Sequence, residues 1–293
     1  MRIGVVLVPF STDIGRWGSA KGPEAYIRGG LLEQLKARGH DVGEPVTVQL
    51  ANAERTRDTV TNLGKIAHRQ ADAVAAALRG DGDRVVMVLG GNCTHAPGTA
   101  GGVARALGGC GVAWFDAHGD MNTMATTTSG MWGGMPYAVM LGWDLDDWRE
   151  AAGLERPVAP EAAALIGSSD LDEGEEQALA THPIAHLRAS DISGEDVEAR
   201  IRAALAPRSQ SAPAWYLHMD PDVAGPDAYP GGHTPAPTWP PRDKLLRAVA
   251  ETVRVVDVKA FNPGHFTPDQ DVDGRAMQLG IDTAMTVVDN LRR

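Results

Sequence analysis

The chain has 293 residues, enough for one large α/β domain or two ordinary ones, and 43% of them are hydrophobic, as in a globular protein with a sizeable core. A formal net charge of -11 argues against nucleic acid or an anionic membrane surface as a partner. Cys93 and Cys110 are too few for a disulfide framework, the start MRIGVVLVPF lacks the basic n-region and long apolar core of a signal peptide, and no apolar run reaches membrane-spanning length, so a soluble cytoplasmic protein is expected.

In chain order, Ile3 to Val8 reads as a strand closed by Pro9. Gly22-Pro23 opens a helix that runs through Ile27, Leu31, Leu32 and Leu35 and stops at Gly39. Val46 to Leu50 reads as a strand, and Thr59 to Leu78 carries Val60, Leu63, Ile66, Ala67, Ala71 and Val74 at helical spacing. Val85 to Leu89 is an apolar strand ending in Gly90-Gly91-Asn92-Cys93-Thr94-His95, followed by a helix from Pro97 to Leu107. Val112 to Phe115 is a strand, Gly134 to Leu141 a helix, and Ala163 to Gly167 a strand ending in Ser169-Asp170-Leu171-Asp172. Glu173 to Ala180 and Glu195 to Leu205 read as helices, Ala206 to Pro213 as a surface loop, and Trp215 to Met219 as a strand. Residues 224–241, rich in Gly and Pro, read as a long active-site loop. Arg242 to Thr252 is a helix, Val255 to Val258 a strand, and Asp273 to Leu291 a C-terminal helix. Strands that alternate with helices imply a three-layer α/β/α fold with a mostly parallel central sheet. No break in composition divides the chain, so residues 1–293 are expected to form a single domain.

The chemistry concentrates at two strand ends. Val112 to Phe115 runs into Asp116-Ala117-His118-Gly119-Asp120, and Trp215 to Met219 runs into Asp220-Pro221-Asp222. The carboxyl ends of strands are where open α/β sheets build sites. An extended Asp-x-His-x-Asp segment would point its side chains to one side. Asp and His after a strand are commonly just turn-forming residues, but two strands that both end in carboxylate pairs suggest one shared site. So many carboxylates come together only around cations. The candidate ligands are Asp116, His118, Asp120, Asp220, Asp222 and a residue from Gly90 to His95. That set exceeds the needs of one ion and suits two, about 3.5–4 Å apart, as in metal-assisted hydrolysis.

The pattern resembles the ureohydrolase family of arginases and agmatinases over nearly the whole chain. In that family a Gly-Gly-Asp-His strand end, an Asp-Ala-His-x-Asp and a Ser-x-Asp-x-Asp hold two Mn2+ ions. The resemblance implies Cys93, Asp116, His118, Asp120, Asp220 and Asp222 as ligands, with Asp116 and Asp220 bridging. It also implies Asp120 as the catalytic group that shuttles the proton of a bridging hydroxide. Arginases hold the α-carboxylate of their substrate with an Asn, a Thr and a Ser, which fall on Asn122, Thr127 and Ser129. They hold the α-amino group with an Asp-x-x-Glu, which falls on Asp172 and Glu175. An amino acid of arginine type is therefore the implied small-molecule partner. Taken without the resemblance, Thr126 to Ser129 form turns, and Asp172 and Glu175 start a helix.

Three departures narrow this expectation. Cys93 stands where the family has a His ligand; a thiolate is a competent but softer donor, and His95 is a rival two residues on. Gly133 stands where a family His serves as acid and base, and Ala260 where a family Glu pairs with the guanidinium. A buried guanidinium without that Glu is an unpaired cation, whereas an N-hydroxyguanidine is a weaker base and binds neutral. The expected substrate is thus Nω-hydroxy-L-arginine, cleaved to L-ornithine and hydroxyurea. The alternatives are an arginase or another ureohydrolase acting on a guanidino or formimino amino acid, and an inactive amino-acid-binding relative. His233 reads as a substitute acid or as a plain loop residue. Family trimers lean on an extension beyond the last helix, and this chain stops at Leu291-Arg292-Arg293, so a monomer or weak oligomer is expected.

Overall fold

The computed structural model describes residues 1–11, 18–80, 82–230 and 236–292. Among them, nine strands join one sheet: β1 (Arg2–Val8), β2 (Asp41–Val42), β3 (Val46–Thr47), β4 (Arg84–Gly90), β5 (Gly111–Phe115), β6 (Ala163–Ser168), β7 (Ala185–Arg188), β8 (Trp215–Met219) and β9 (Val258–Phe261). Their order is β2-β1-β4-β9-β8-β5-β6-β7, with β3 also paired to β1, and every pairing is parallel. The helices are α1 (Gly22–Arg28), α2 (Leu31–Ala37), α3 (Thr59–Leu78), α4 (Ala96–Leu107), α5 (Pro136–Leu141), α6 (Asp146–Ala151), α7 (Glu173–Thr181), α8 (Val197–Leu205), α9 (Arg242–Val255) and α10 (Arg275–Asn290).

A parallel sheet is covered on both faces, which is why its strands are continuous apolar runs. Alternate residues serve the two faces. Ile3, Val5, Leu7, Val85, Met87 and Leu89 pack with Leu31 and Leu35 of α2, Ile201 of α8, Leu245 of α9 and Leu279 of α10. Val6, Val8, Val86 and Val88 pack with Leu63 and Val74 of α3, Val103 of α4, Tyr137 of α5 and Trp148 of α6.

Several boundaries differ from the sequence reading. The helix expected from Gly22 to Gly39 is two helices, because Gly29-Gly30 interrupts it and Gly30 has φ 82. The strand expected over Val46 to Leu50 pairs only through Val46 and Thr47. The strand expected over Val255 to Val258 begins at Val258, since α9 carries its apolar stripe through Val249 and Val253 to Val255. β2, β7 and α6 were not expected. The stretch 224–241 carries no helix or strand in its described residues, and Gly232, His233 and Thr234 lie outside them. Among the described residues no helix is long and apolar enough to cross a membrane.

The topology decides where chemistry sits. The strands β4, β9, β8, β5 and β6 are consecutive neighbours and all parallel, so their carboxyl ends lie along one edge.

Candidate active site

Asp116 follows β5 directly and is fully buried. The Trp114 indole Nε1 donates to its Oδ2 at 2.9 Å, and the His118 amide donates to its Oδ1 at 2.7 Å. The Asp116–Asp120 segment is not extended: it bends, and Asp120 takes φ 50, a left-handed conformation that Asp tolerates better than most residues. The bend sends His118 and Asp120 to different partners. Asp116, His118 and Asp222 place ligand atoms within 4.8 Å of one another, and so do Asp116, Asp120 and Cys93. Asp116 is common to both sets.

Backbone geometry holds this arrangement. The Asp120 carbonyl accepts from the amides of Tyr137 at 2.9 Å and Ala138 at 3.2 Å, which ties it to the start of α5. Glu175 accepts the Met121 amide on Oε1 and the Asp172 amide on Oε2, both at 3.0 Å. A Cβ at Gly119 would meet the Glu175 carboxyl group at 2.6 Å, so the glycine admits this brace.

At the end of β8, the Asp222 amide donates to Asp220 Oδ1 at 3.0 Å, and the Ala117 amide donates to Asp222 Oδ1 at 3.3 Å. Cys93, in the short turn of helix after β4, donates its Sγ hydrogen to Asp220 Oδ2 at 2.8 Å. His218 Nε2 lies 3.3 Å from the same sulfur, and its Nδ1 lies 2.7 Å from the Tyr216 hydroxyl. The His218 ring stacks on Trp114 with centroids 3.7 Å apart. His95, the rival ligand, is placed elsewhere: its ring packs over Gly90, with Nδ1 3.4 Å from Thr99 Oγ1, and it joins none of the ligand groups. Cys110 is buried at the start of β5, as a packing residue would be.

The electrostatics are those of a cation site. Burial first, and neighbouring carboxylates second, push Asp116 and Asp120 well above the usual carboxylate range and Asp220 up to about 7. Burial alone would lower His118, but its hydrogen bonds to Asp116 and Asp222 prevail and push it up to about 12. Burial, then Asp220, Asp120 and Asp116, raises the Cys93 thiol. Asp120 Oδ2 is buried without a hydrogen-bond partner among the described residues. Ionised carboxylates this close require positive charge among them, and the mix of carboxylate, imidazole and thiol donors fits two divalent cations.

A cavity of about 270 Å³ opens over the cluster, lined by Cys93, His118, Asp120, Asp220, Asp222 and His265 on its floor. Asn122, Ser129, Asp172 and Glu175 line its wall. Asn122 Nδ2 donates to Asp172 Oδ2 at 2.7 Å, so two of the residues expected to grip an amino acid meet across 50 residues of chain. Thr127 departs from expectation: it does not line the cavity, and its hydroxyl accepts the Gly130 amide at 2.9 Å, closing a turn. Gly133 faces the cavity, and among the described residues a Cβ there would meet nothing within 4 Å. Ala260 is fully buried, paired with Val86 and Tyr216 across the sheet, and is not among the cavity-lining residues. The sequence reading missed His265, His218 and Tyr229. The first had a signal, a histidine two residues beyond Asn262-Pro263 at a site-bearing strand end; the other two had none.

The family model for the arginase family matches residues 1–288. The arginase of Bacillus caldovelox is 30% identical over 243 residues, which cover 80% of this chain and 80% of that protein. The solved structure of Bacillus caldovelox arginase is similar with a TM-score of 0.87 at 25% identity, covering 98% of this chain and 97% of that one. An Entamoeba histolytica arginase solved in complex with L-ornithine shares the fold with a TM-score of 0.87 at 20% identity, covering 98% of both chains.

Proposed function

The chain belongs to the arginase family, whose members are binuclear-metal amidinohydrolases, and we propose that it cleaves Nω-hydroxy-L-arginine to L-ornithine and hydroxyurea. In this respect it resembles the Nω-hydroxy-L-arginine hydrolase of D-cycloserine biosynthesis, and that pathway is the proposed setting.

The observation that carries the proposal is the pair of positions 133 and 260. Among the described residues, Gly133 leaves open space where the family acid would stand, and Ala260 is packed in the core where the family's guanidinium partner would stand. A protonated guanidinium would enter without its counter-charge, while a neutral hydroxyguanidine needs none.

At the amino-acid end, Asn122 and Ser129 are the proposed partners of the substrate carboxylate, and Asp172 with Glu175 those of its ammonium. Cys93, Asp116, Asp120 and Asp220 would hold one cation, and Asp116, His118, Asp220 and Asp222 the other, with Mn2+ as the proposed metal. The cations, when bound, supply Lewis-acid polarisation and lower the pKa of water. In the reaction the carbon–nitrogen bond to the ornithine δ-nitrogen breaks, and the oxygen of water stays on the hydroxyurea carbon. Asp120, whose buried Oδ2 has no hydrogen-bond partner among the described residues, is the group that takes the water proton and passes it to the departing amine.

A second reading, hydrolysis of L-arginine, is favoured by the similarity to arginases and by the retained amino-acid end. Quantifying hydroxyurea and urea released from the two substrates by Mn2+-loaded protein separates them. Hydroxyurea formation with little urea supports the proposal, and urea from L-arginine at a comparable rate refutes it.

A further inference from the structure

Resting on the binuclear reading, one side of the centre is short of nitrogen. The Asp116, His118 and Asp222 set has its own imidazole, whereas Cys93, Asp116 and Asp120 offer only sulfur and oxygen. We infer that His265 is a metal ligand, supplying from the loop after β9 the nitrogen donor that position 93 does not provide.

The loop is built to deliver it. The Asn262 amide donates to Leu217 O at 2.9 Å, and Asn262 Nδ2 donates to Met219 O at 3.1 Å, pinning the end of β9 to the end of β8. Asn262 Oδ1 then accepts the Gly264 amide at 3.2 Å. Gly264 has φ 122, which a side chain would strain, and the chain turns there to set His265 on the cavity floor.

The distances are those of co-ligands. His265 Nε2 lies 3.7 Å from Asp220 Oδ2, too far for a hydrogen bond. Two donors that share one ion, each about 2.0–2.2 Å from it, lie roughly 3–4 Å apart. Ligand atoms of Cys93, Asp220 and His265 all fall within 4.8 Å of one another. An imidazole also offsets the softness of a thiolate beside hard carboxylates.

The test is a titration of chelator-stripped protein with Co2+, following metal content and the thiolate-to-cobalt absorption band that reports the ion on Cys93. Wild type should take two ions. His265→Ala and His265→Gln should bind one ion as wild type does and the other at least about tenfold more weakly, the size of effect seen even for outer-shell partners. Their cobalt–thiolate band should weaken or shift. Far-UV circular dichroism confirms that the variants are folded, and His265→Gln guards against a packing defect in the alanine variant. Adding Cys93→His to His265→Ala should restore the second ion while abolishing the band, which a structural role for His265 does not predict. Two ions at wild-type affinity with an unchanged band in both His265 variants overturns the inference. Wild type that binds no Co2+ overturns the binuclear reading and this inference with it.

Discussion

Cys93 Sγ lies 2.8 Å from Asp220 Oδ2, although the two residues are 127 positions apart and their strands are separated in the sheet by β9. The contact links the ends of two separate strands at the centre of the proposed metal site. It makes a thiol, usually an inert core residue when buried, part of a cluster of carboxylates.

The first prediction concerns that thiol. Cys93→Ala should reduce the Mn2+ content from two ions per chain to one, because the Asp116 and Asp222 carboxylates remain as a separate set with the His118 imidazole. Metal analysis after gel filtration measures it. Retention of both ions together with activity would remove Cys93 from the ligand set.

The second separates the substrate clamp from turn residues. Asn122→Ala removes a side chain that lines the cavity and holds Asp172 at 2.7 Å. A hydrogen bond to a charged group contributes about 1.5–3 kcal/mol, so kcat/KM should fall roughly 10–100-fold. Thr127→Ala should change kcat/KM less than about threefold, since its hydroxyl serves the Gly130 amide. Steady-state kinetics of the two variants would show equal losses if both residues gripped substrate.

The third concerns the two departures from the family. Gly133→His meets no heavy atom of the described residues within 4 Å at its Cβ, so stability should change by no more than about 0.5 kcal/mol. Turnover of L-arginine should rise about tenfold, short of the roughly 10²–10⁴-fold of a fully positioned acid. Ala260→Glu should behave oppositely, because it buries an unpaired carboxylate in a packed strand. Its denaturant midpoint should drop by the equivalent of about 3 kcal/mol or more, while in the folded variant the restored counter-charge should narrow the preference for the hydroxylated substrate over L-arginine.

The fourth is the effect of stripping metal. Asp116, Asp120 and Asp220 are raised above their unfolded values, Asp220 to about 7. A raised carboxylate favours the fold while protonated, and that stability is lost as pH climbs from the unfolded value near 4 toward the folded one. His118, raised to about 12, contributes stability that is full below its unfolded value and declines as pH rises, so it acts in the same direction. In chelator the melting temperature should therefore be lower at pH 8 than at pH 5, by about 5 °C or more. Saturating Mn2+ should reverse the slope, because cations bind the deprotonated ligands. Scanning calorimetry at both pH values decides it; a chelator-treated protein more stable at pH 8 would contradict the electrostatics.

The strands around the site were legible because a buried parallel strand is an unbroken apolar run that ends abruptly, as Trp114-Phe115-Asp116 does. The short edge strands β2 and β7 were not, since two to four residues carry no periodicity. β9 was misplaced because the last turn of α9 supplies valines that read equally well as a strand. Within the site, Asp116, His118 and Asp120 announced themselves by spacing, but not that the chain bends between them at a left-handed Asp120. His265 had a signal in the histidine just beyond Asn262-Pro263, but its place in the site follows from the sheet order, which brings the end of β9 between those of β4 and β8.

The most direct test of the proposed function is the ratio of kcat/KM for Nω-hydroxy-L-arginine to that for L-arginine, measured side by side on Mn2+-loaded wild-type protein. Bringing a guanidinium into the site without its counter-charge costs several kcal/mol, and each 1.36 kcal/mol is about tenfold in rate. The expected ratio is about a hundred or more in favour of the hydroxylated substrate, with hydroxyurea as product. A ratio near one, or a preference for L-arginine, would contradict it.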